Sequence, residues 1–258
     1  MNKNLIGKIA LVTGASRLDG LGAAICKKLA KNGADIYFTY WLQYDKEMPW
    51  EVKETEPKKL QNLVKNYGVK CFKKEMDLSL SENIKKLFDK VINSLGKPDI
   101  LVNNAAYSTY TNYRNLTSEE LDRHYKINIR ATTLLSTNFG QYFDKNKGGR
   151  IINITSGQFK GPMKNEVAYA TTKGAIDALT ITLSAELADK GITVNAVNPG
   201  PTDTGWINDE LRQKLIKKFP KGRIGKPEDA ANLVNFLSTD EAEWITGQII
   251  HSEGGFMR

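Results

Sequence analysis

The 258-residue chain reads as a doubly wound α/β protein, a single sheet of about seven parallel strands with helices on both faces. Three observations predict it. Short β-branched runs alternate with longer segments of helical period along nearly the whole sequence. A glycine-rich stretch follows the first run and leads straight into the first helical pattern. No internal repeat or low-complexity linker interrupts the alternation, so residues 1–258 are taken as one domain.

The strand candidates are 8–13, 35–40, 70–75, 99–103, 150–155, 192–198 and 248–252. Helical periodicity covers 22–32, 57–67, 81–95, 117–145, 166–189, 207–219 and 227–238. Within 81–95, Ile84, Leu87, Phe88, Val91, Ile92 and Leu95 recur on one face, which must pack on the sheet. Residues 41–57 (WLQYDKEMPWEVKETEP) are expected as a long irregular loop. Its Trp41, Tyr44 and Trp50 either cover a ligand or pack at a subunit contact.

Composition narrows the function classes. The N-terminus lacks the basic, apolar and small-residue sequence of a secretion signal, and no apolar run approaches the roughly 18–20 residues that span a bilayer. Cys26 and Cys71 lie in apolar stretches and read as reduced, packed thiols, which points to the cytoplasm. The net charge of +8 is spread along the chain without zinc spacing, basic arm or RNP-like segment, so no nucleic-acid partner is expected. Its densest excess, residues 208–226, is either a solvated helix face or a contact for an anionic substrate or carrier. His124 and His251 have no carboxylate or cysteine arrangement around them, and both read as structural; no metal site is expected.

The glycine stretch TGASRLDGLG, residues 13–22, sits between an apolar strand and a helix. Gly14, Gly20 and Gly22 would let the backbone approach a pyrophosphate, and the helix N-terminus supplies free N–H groups and partial positive charge. A dinucleotide site follows, with Ser16, Arg17, Leu18 and Leu21 as further contacts. The second strand ends in IYFTYW, at Tyr40, with no carboxylate to accept hydrogen bonds from an NAD ribose. Arg17 instead offers a guanidinium to a 2′-phosphate, so NADP(H) is favoured and NAD(H) remains open. Asp19 is discordant and must point away from the phosphates.

Tyr169 and Lys173 are four apart in AYATTKGAIDAL and share one helix face. An ammonium one turn away, helped by the positive nicotinamide of the oxidised complex, stabilises a phenolate and brings its pKa from near 10 toward working pH. Among the ten tyrosines only Tyr169 has a lysine four residues on. Ser156 lies thirteen residues before Tyr169, just past the strand RIINIT, at the sheet edge where open α/β sheets bind ligands.

These motifs make the chain resemble the short-chain dehydrogenase/reductase family, and within it the 3-oxoacyl-acyl-carrier-protein reductase type. The resemblance runs from about Leu5 to the C-terminus through LVTGASRLDGLG, MDLS at 76–79, NNAA at 103–106, Asn128 in YKINIR, Ser156, YATTK at 169–173, VNPGPTDT at 197–204 and ITGQIIHSEGG at 245–255. It implies a Rossmann-type fold and a role for each matching residue. Tyr169 would exchange a proton with the substrate oxygen while Ser156 hydrogen-bonds that oxygen. Lys173 would hold the nicotinamide ribose and depress the Tyr169 pKa, and Asn128 would bind a water linking Lys173 to solvent. Asp77 and Leu78 would flank the adenine. Asn104, Ala105 and Ala106 would line the cofactor's middle, and Pro199, Gly200, Thr202 and Thr204 its nicotinamide end.

The sequence departs from the family pattern at three places, one of them segment 41–57, which is longer than usual. Five residues rather than three separate Gly14 from Gly20, and NNAG has become NNAA at Ala106. The longer loop resembles that of enoyl-carrier-protein reductases, but the four-residue Tyr–Lys spacing favours carbonyl reduction. The expected activity is hydride transfer to a ketone or a 3-oxoacyl thioester. The alternatives are an enoyl-thioester reductase and a non-catalytic nicotinamide-dinucleotide sensor. Segment 203–226 should cover the substrate, with Trp206, Ile207, Leu211, Leu215 and Phe219 as apolar contacts or as anchors for their own helix. The resemblance also implies a homo-oligomer, tetramer or dimer, with no membrane partner.

Overall fold

The computed structural model describes residues 3–48 and 50–258. Its sheet contains β1 (Ile9–Val12), β2 (Asp35–Tyr40), β3 (Cys71–Glu75), β4 (Ile100–Asn103), β5 (Gly149–Ile154), β6 (Ile192–Asn198) and β7 (Ile249–His251). They lie in the order β3-β2-β1-β4-β5-β6-β7, every neighbouring pair parallel. The seven-stranded parallel sheet predicted from the apolar runs is therefore present. Its central strands are apolar on both faces, as a sheet covered twice requires.

Pleating sends alternate residues of β1 to opposite faces. Ala10 and Val12 join the core beneath α1 (Leu21–Lys31), α3 (Glu56–Lys65) and α9 (Pro227–Leu237). Leu11 joins the opposite core with α4 (Ser81–Leu95), α6 (Thr132–Tyr142) and α7 (Val167–Glu186). In α4, Ile84, Leu87, Phe88 and Val91 are the buried face, four of the six residues expected there. The two cysteines are free and buried, and burial pushes both thiols up, Cys71 to about 12.

Two segments differ from expectation. Inside 41–57, residues Leu42–Glu47 form a short helix, α2, that folds back against the carboxyl end of the sheet; Pro49 lies outside the described residues. The single helix expected over 117–145 is three pieces: α5 (Ser118–His124), a π-helical stretch Tyr125–Ala131, and α6. The remaining helix, α8 (Asp209–Ile216), belongs to the segment between β6 and β7. Among the described residues, no helix is long and apolar enough to cross a membrane, and no His, Cys, Asp and Glu cluster has the makings of a metal site.

The strand order reverses at β1, with β2 on one side and β4 on the other. In such sheets the crevice outside the carboxyl ends of the strands is where ligands bind.

Candidate active site

A cleft of about 1760 Å³ opens at that crevice. This is more than the 300–1,000 Å³ of a typical small-ligand pocket, and leaves room for a dinucleotide and a substrate together. Nearly every predicted site residue lines it: Gly14, Ser16, Arg17, Gly20, Leu21, Gly22, Tyr40, Asp77, Leu78, Asn104, Ala105, Ala106, Ser156, Tyr169, Lys173, Pro199, Gly200, Thr202 and Thr204. Leu18 and Asn128 do not.

At the glycine end the backbone packs too closely to admit side chains. Gly14 has φ +72°, and a Cβ there would stand 2.6 Å from the Ala105 Cα. A Cβ on Gly22 would meet the Gly14 carbonyl oxygen at 2.5 Å and Asn104 Nδ2 at 2.8 Å. The glycine loop and the NNAA segment are stitched at this approach: Thr13 Oγ1 accepts from the Asn104 and Ala105 N–H groups at 3.1 Å each. Asn104 Nδ2 donates to the Thr13 and Gly14 carbonyls at 2.9 and 2.8 Å. The N-terminus of α1 has no side-chain cap and no acid in its first turn, so its N–H groups and dipole face the cleft uncompensated.

The two extra residues are absorbed by a tight turn, Gly20 N–H to the Arg17 carbonyl at 3.2 Å. Leu18, expected to touch the cofactor, is instead turned away because Glu56 of α3 takes its N–H at 2.7 Å. Asp19 points out toward solvent and pairs with Arg17 at 3.4 Å.

The acid missing from the end of β2 arrives from α2. Asp45 is buried and sits 3.7 Å from Arg17 Nε, with Trp50 Nε1 donating to its Oδ1 at 3.1 Å. Arg17 also stacks 4.1 Å from the Trp50 ring centroid and donates to the Thr204 carbonyl at 2.6 Å. Burial raises the Asp45 carboxyl, while Ser16, Trp50 and Arg17 pull it back down. No periodicity in the loop sequence signals this contact; only the folded chain brings it to Arg17. Tyr44 packs between Trp50 and Tyr107, at centroid distances of 6.2 and 5.7 Å, so these aromatics line the cleft wall.

At the other end three elements converge. Ser156 follows β5, and Tyr169 and Lys173 stand on the first two turns of α7. The start of α7 is pinned by Thr111, which accepts from the Val167 N–H at 3.0 Å and donates to the Asn165 carbonyl at 2.8 Å. Lys173 is buried and donates to the Ile154 carbonyl at 2.7 Å, with Nζ 5.5 Å from the Tyr169 ring centroid. Burial pushes this ammonium down from 10.5 to about 8, against the pull of Asp177.

Tyr169 shifts opposite to the expectation that Lys173 lowers it. Burial first, then the neighbouring Glu166 carboxylate, push the phenol well above its ordinary value, and the Ser156 hydroxyl only partly offsets them. These surroundings favour the neutral phenol. Glu166, one turn before Tyr169 and itself raised by burial, is a site residue that the sequence reading missed.

Asn128 sits behind the wall, at the centre of the π-helical stretch. Its Oδ1 accepts the Tyr107 N–H at 2.8 Å, and Nδ2 donates to the Tyr107 carbonyl and to Thr172 Oγ1 at 2.9 Å each. Both amide hydrogens are committed to holding the 107 segment and α7 together, which leaves no side-chain donor for the expected water.

In the covering segment, Trp206, Ile207, Leu211 and Leu215 line the cleft, while Ile207 and Phe219 bury themselves with Ile224 as an anchor. Of the basic residues there, Arg212, Lys214 and Arg223 pair with Asp203, Glu210 and Asp229, and Lys218 reaches the cleft.

A family model described as Enoyl-(Acyl carrier protein) reductase matches residues 14–257. An oxidoreductase of Bacillus subtilis, YjdA, described as uncharacterized, is 51% identical over 253 residues, 97% of each chain. The 3-oxoacyl-[acyl-carrier-protein] reductase FabG of Aquifex aeolicus is 36% identical over 99% of each. A short chain dehydrogenase from Burkholderia cenocepacia, solved in complex with NADP, superposes with TM-score 0.86 at 30% identity over 98% of both chains. The chain belongs to the short-chain dehydrogenase/reductase family. It is an NAD(P)-dependent oxidoreductase on a single-domain Rossmann-type fold.

Proposed function

We propose that this short-chain reductase is an NADP(H)-dependent ketoreductase in which Tyr169 protonates the substrate oxygen. The observation that carries the reading is the convergence of Ser156, Tyr169 and Lys173 on one wall of the cleft, with the phenol held neutral. A neutral phenol is the right species to give a proton to a developing alkoxide. Ser156 donates a hydrogen bond to the same oxygen, and Lys173, tied to Ile154, supplies positive charge as the phenolate forms. The nicotinamide, when bound, supplies the hydride. Gly14, Ser16 and Gly20 to Gly22 would hold its pyrophosphate, Asp77 and Leu78 the adenine, and Asn104 to Ala106 with Pro199 to Thr204 the remainder.

For the 2′-phosphate, Arg17 would exchange its Asp45 contact for a doubly charged partner. The NADP bound to the Burkholderia relative supports that choice. Arg17→Ala is expected to raise the KM for NADPH about ten- to a hundredfold, the loss of a hydrogen-bonded charge pair, with the KM for NADH nearly unchanged. An equal loss with both cofactors would assign Arg17 to loop structure alone.

The deciding experiment is a panel of ketones, 3-oxoacyl thioesters and enoyl thioesters assayed with NADPH and NADH. Carbonyl substrates should be turned over and enoyl thioesters should not. Enoyl turnover alone would favour the chemistry named in the family model, and cofactor binding without any turnover would favour a sensor. A homo-oligomer, tetramer or dimer, in the cytoplasm belongs to the same proposal.

A further inference from the structure

Asp177 plays no part in the reading above, yet it lies one turn beyond Lys173 and two beyond Tyr169 on α7, so all three share a face. It is only 3% exposed. Its Oδ1 accepts from Thr155 Oγ1 at 2.6 Å and its Oδ2 from Gln158 Nε2 at 2.5 Å. Thr155 and Gln158 bracket Ser156 in the chain. One carboxylate thus grips the serine-bearing turn from both sides and fastens it to the helix that carries Tyr169 and Lys173.

An apolar side chain would fill this place without the cost of burying a charge. A carboxylate is explained by what it does for its neighbours. We propose that Asp177 is a positioning residue that sets Ser156 against Tyr169 and places a carboxylate one helical turn from Lys173. The inference rests on the assignment of Tyr169 and Lys173 made under the proposed function. Other groups surround the set: His251 of β7 faces Asp177, and Glu166 and Tyr44 face Tyr169. Asp177 is the residue whose charge supports Lys173 against burial.

Two variants separate the roles. Asp177→Asn keeps an acceptor for Thr155, and its amide can donate to Gln158 once that amide turns over and presents Oε1, which has no partner in the native arrangement. The tether survives and the charge is lost. The alkaline limb of the pH–kcat profile for NADPH-driven reduction of a 3-oxoacyl thioester should then move down by about one pH unit. Gln158→Leu keeps the charge and cuts one tether. Its kcat should fall about tenfold across the whole pH range, the scale of a small misplacement of a reacting group, with the alkaline limb unmoved. A wild-type pH profile in Asp177→Asn, or a wild-type kcat in Gln158→Leu, overturns the proposal. If Asp177→Asn does not fold, Gln158→Leu decides. Tyr169→Phe assayed alongside separates the two levels: loss there with an unmoved Asp177→Asn profile removes this inference and leaves the ketoreductase assignment standing.

Discussion

Tyr169→Phe is expected to lower kcat for carbonyl reduction about a thousandfold, within the range a positioned general acid supplies. NADPH affinity should stay within about threefold of wild type, because the lost interaction is one made in the transition state. Phenylalanine keeps the ring that fills this part of α7 and removes only the hydroxyl. No other group on that wall replaces it as a proton donor. Lys173 is committed to the Ile154 carbonyl, and Ser156 is an unactivated alcohol. Steady-state kinetics combined with titration of NADPH fluorescence measures both quantities. Turnover within tenfold of wild type would mean that the proton comes from elsewhere.

The strands were legible in the sequence because each is a short apolar run bounded by a turn. β2 and β6 have the predicted bounds, and α4 matches the helix predicted over 81–95. That Ser156, Tyr169 and Lys173 would meet at one cleft was legible for a related reason: Ser156 lies beyond a strand end and Tyr169 and Lys173 at helical spacing, so secondary structure alone nearly sets their geometry. What was hidden depends on tertiary contact. The LQYDKE segment has no apolar period, and α2 exists because Asp45, Tyr44 and the neighbouring Trp50 find Arg17 and Tyr107 across the cleft. The π-helical stretch around Asn128 keeps an ordinary helical pattern in one dimension, so nothing in the sequence marks the wider turn. Leu18 was misplaced because the residue that turns it away, Glu56, lies 38 positions on in another helix. Asp177 did leave a trace, a lone carboxylate within the apolar run GAIDALTIT. Such a residue inside a buried helix face asks for a partner.

Lys173→Met is expected to abolish most turnover, by about a hundredfold or more, and yet to make the folded protein more stable at pH 7. Methionine fills the path of the lysine stem without a charge to bury, and Asp177 keeps its Thr155 and Gln158 donors. The sign follows from proton linkage. Unfolded, Lys173 holds its proton to about pH 10.5; folded, burial brings that down to about 8. Between those values the unfolded chain binds the extra proton, so wild-type stability on this account rises with pH, and below about 8 the full penalty stands. The shift corresponds to about 3 kcal/mol at most, and losing the ammonium beside Asp177 removes part of that gain, leaving about 1–2 kcal/mol, or about 2–4 °C in Tm for a protein of this size. Urea unfolding of both proteins from pH 6 to 10.5 tests it. The advantage of Lys173→Met should be constant in the lower half of that range and close through the upper half. A variant less stable than wild type at pH 7, or a gap that does not change with pH, would show that Lys173 is not held in the fold as a costly ammonium. The site would then lose its local source of positive charge for the phenolate.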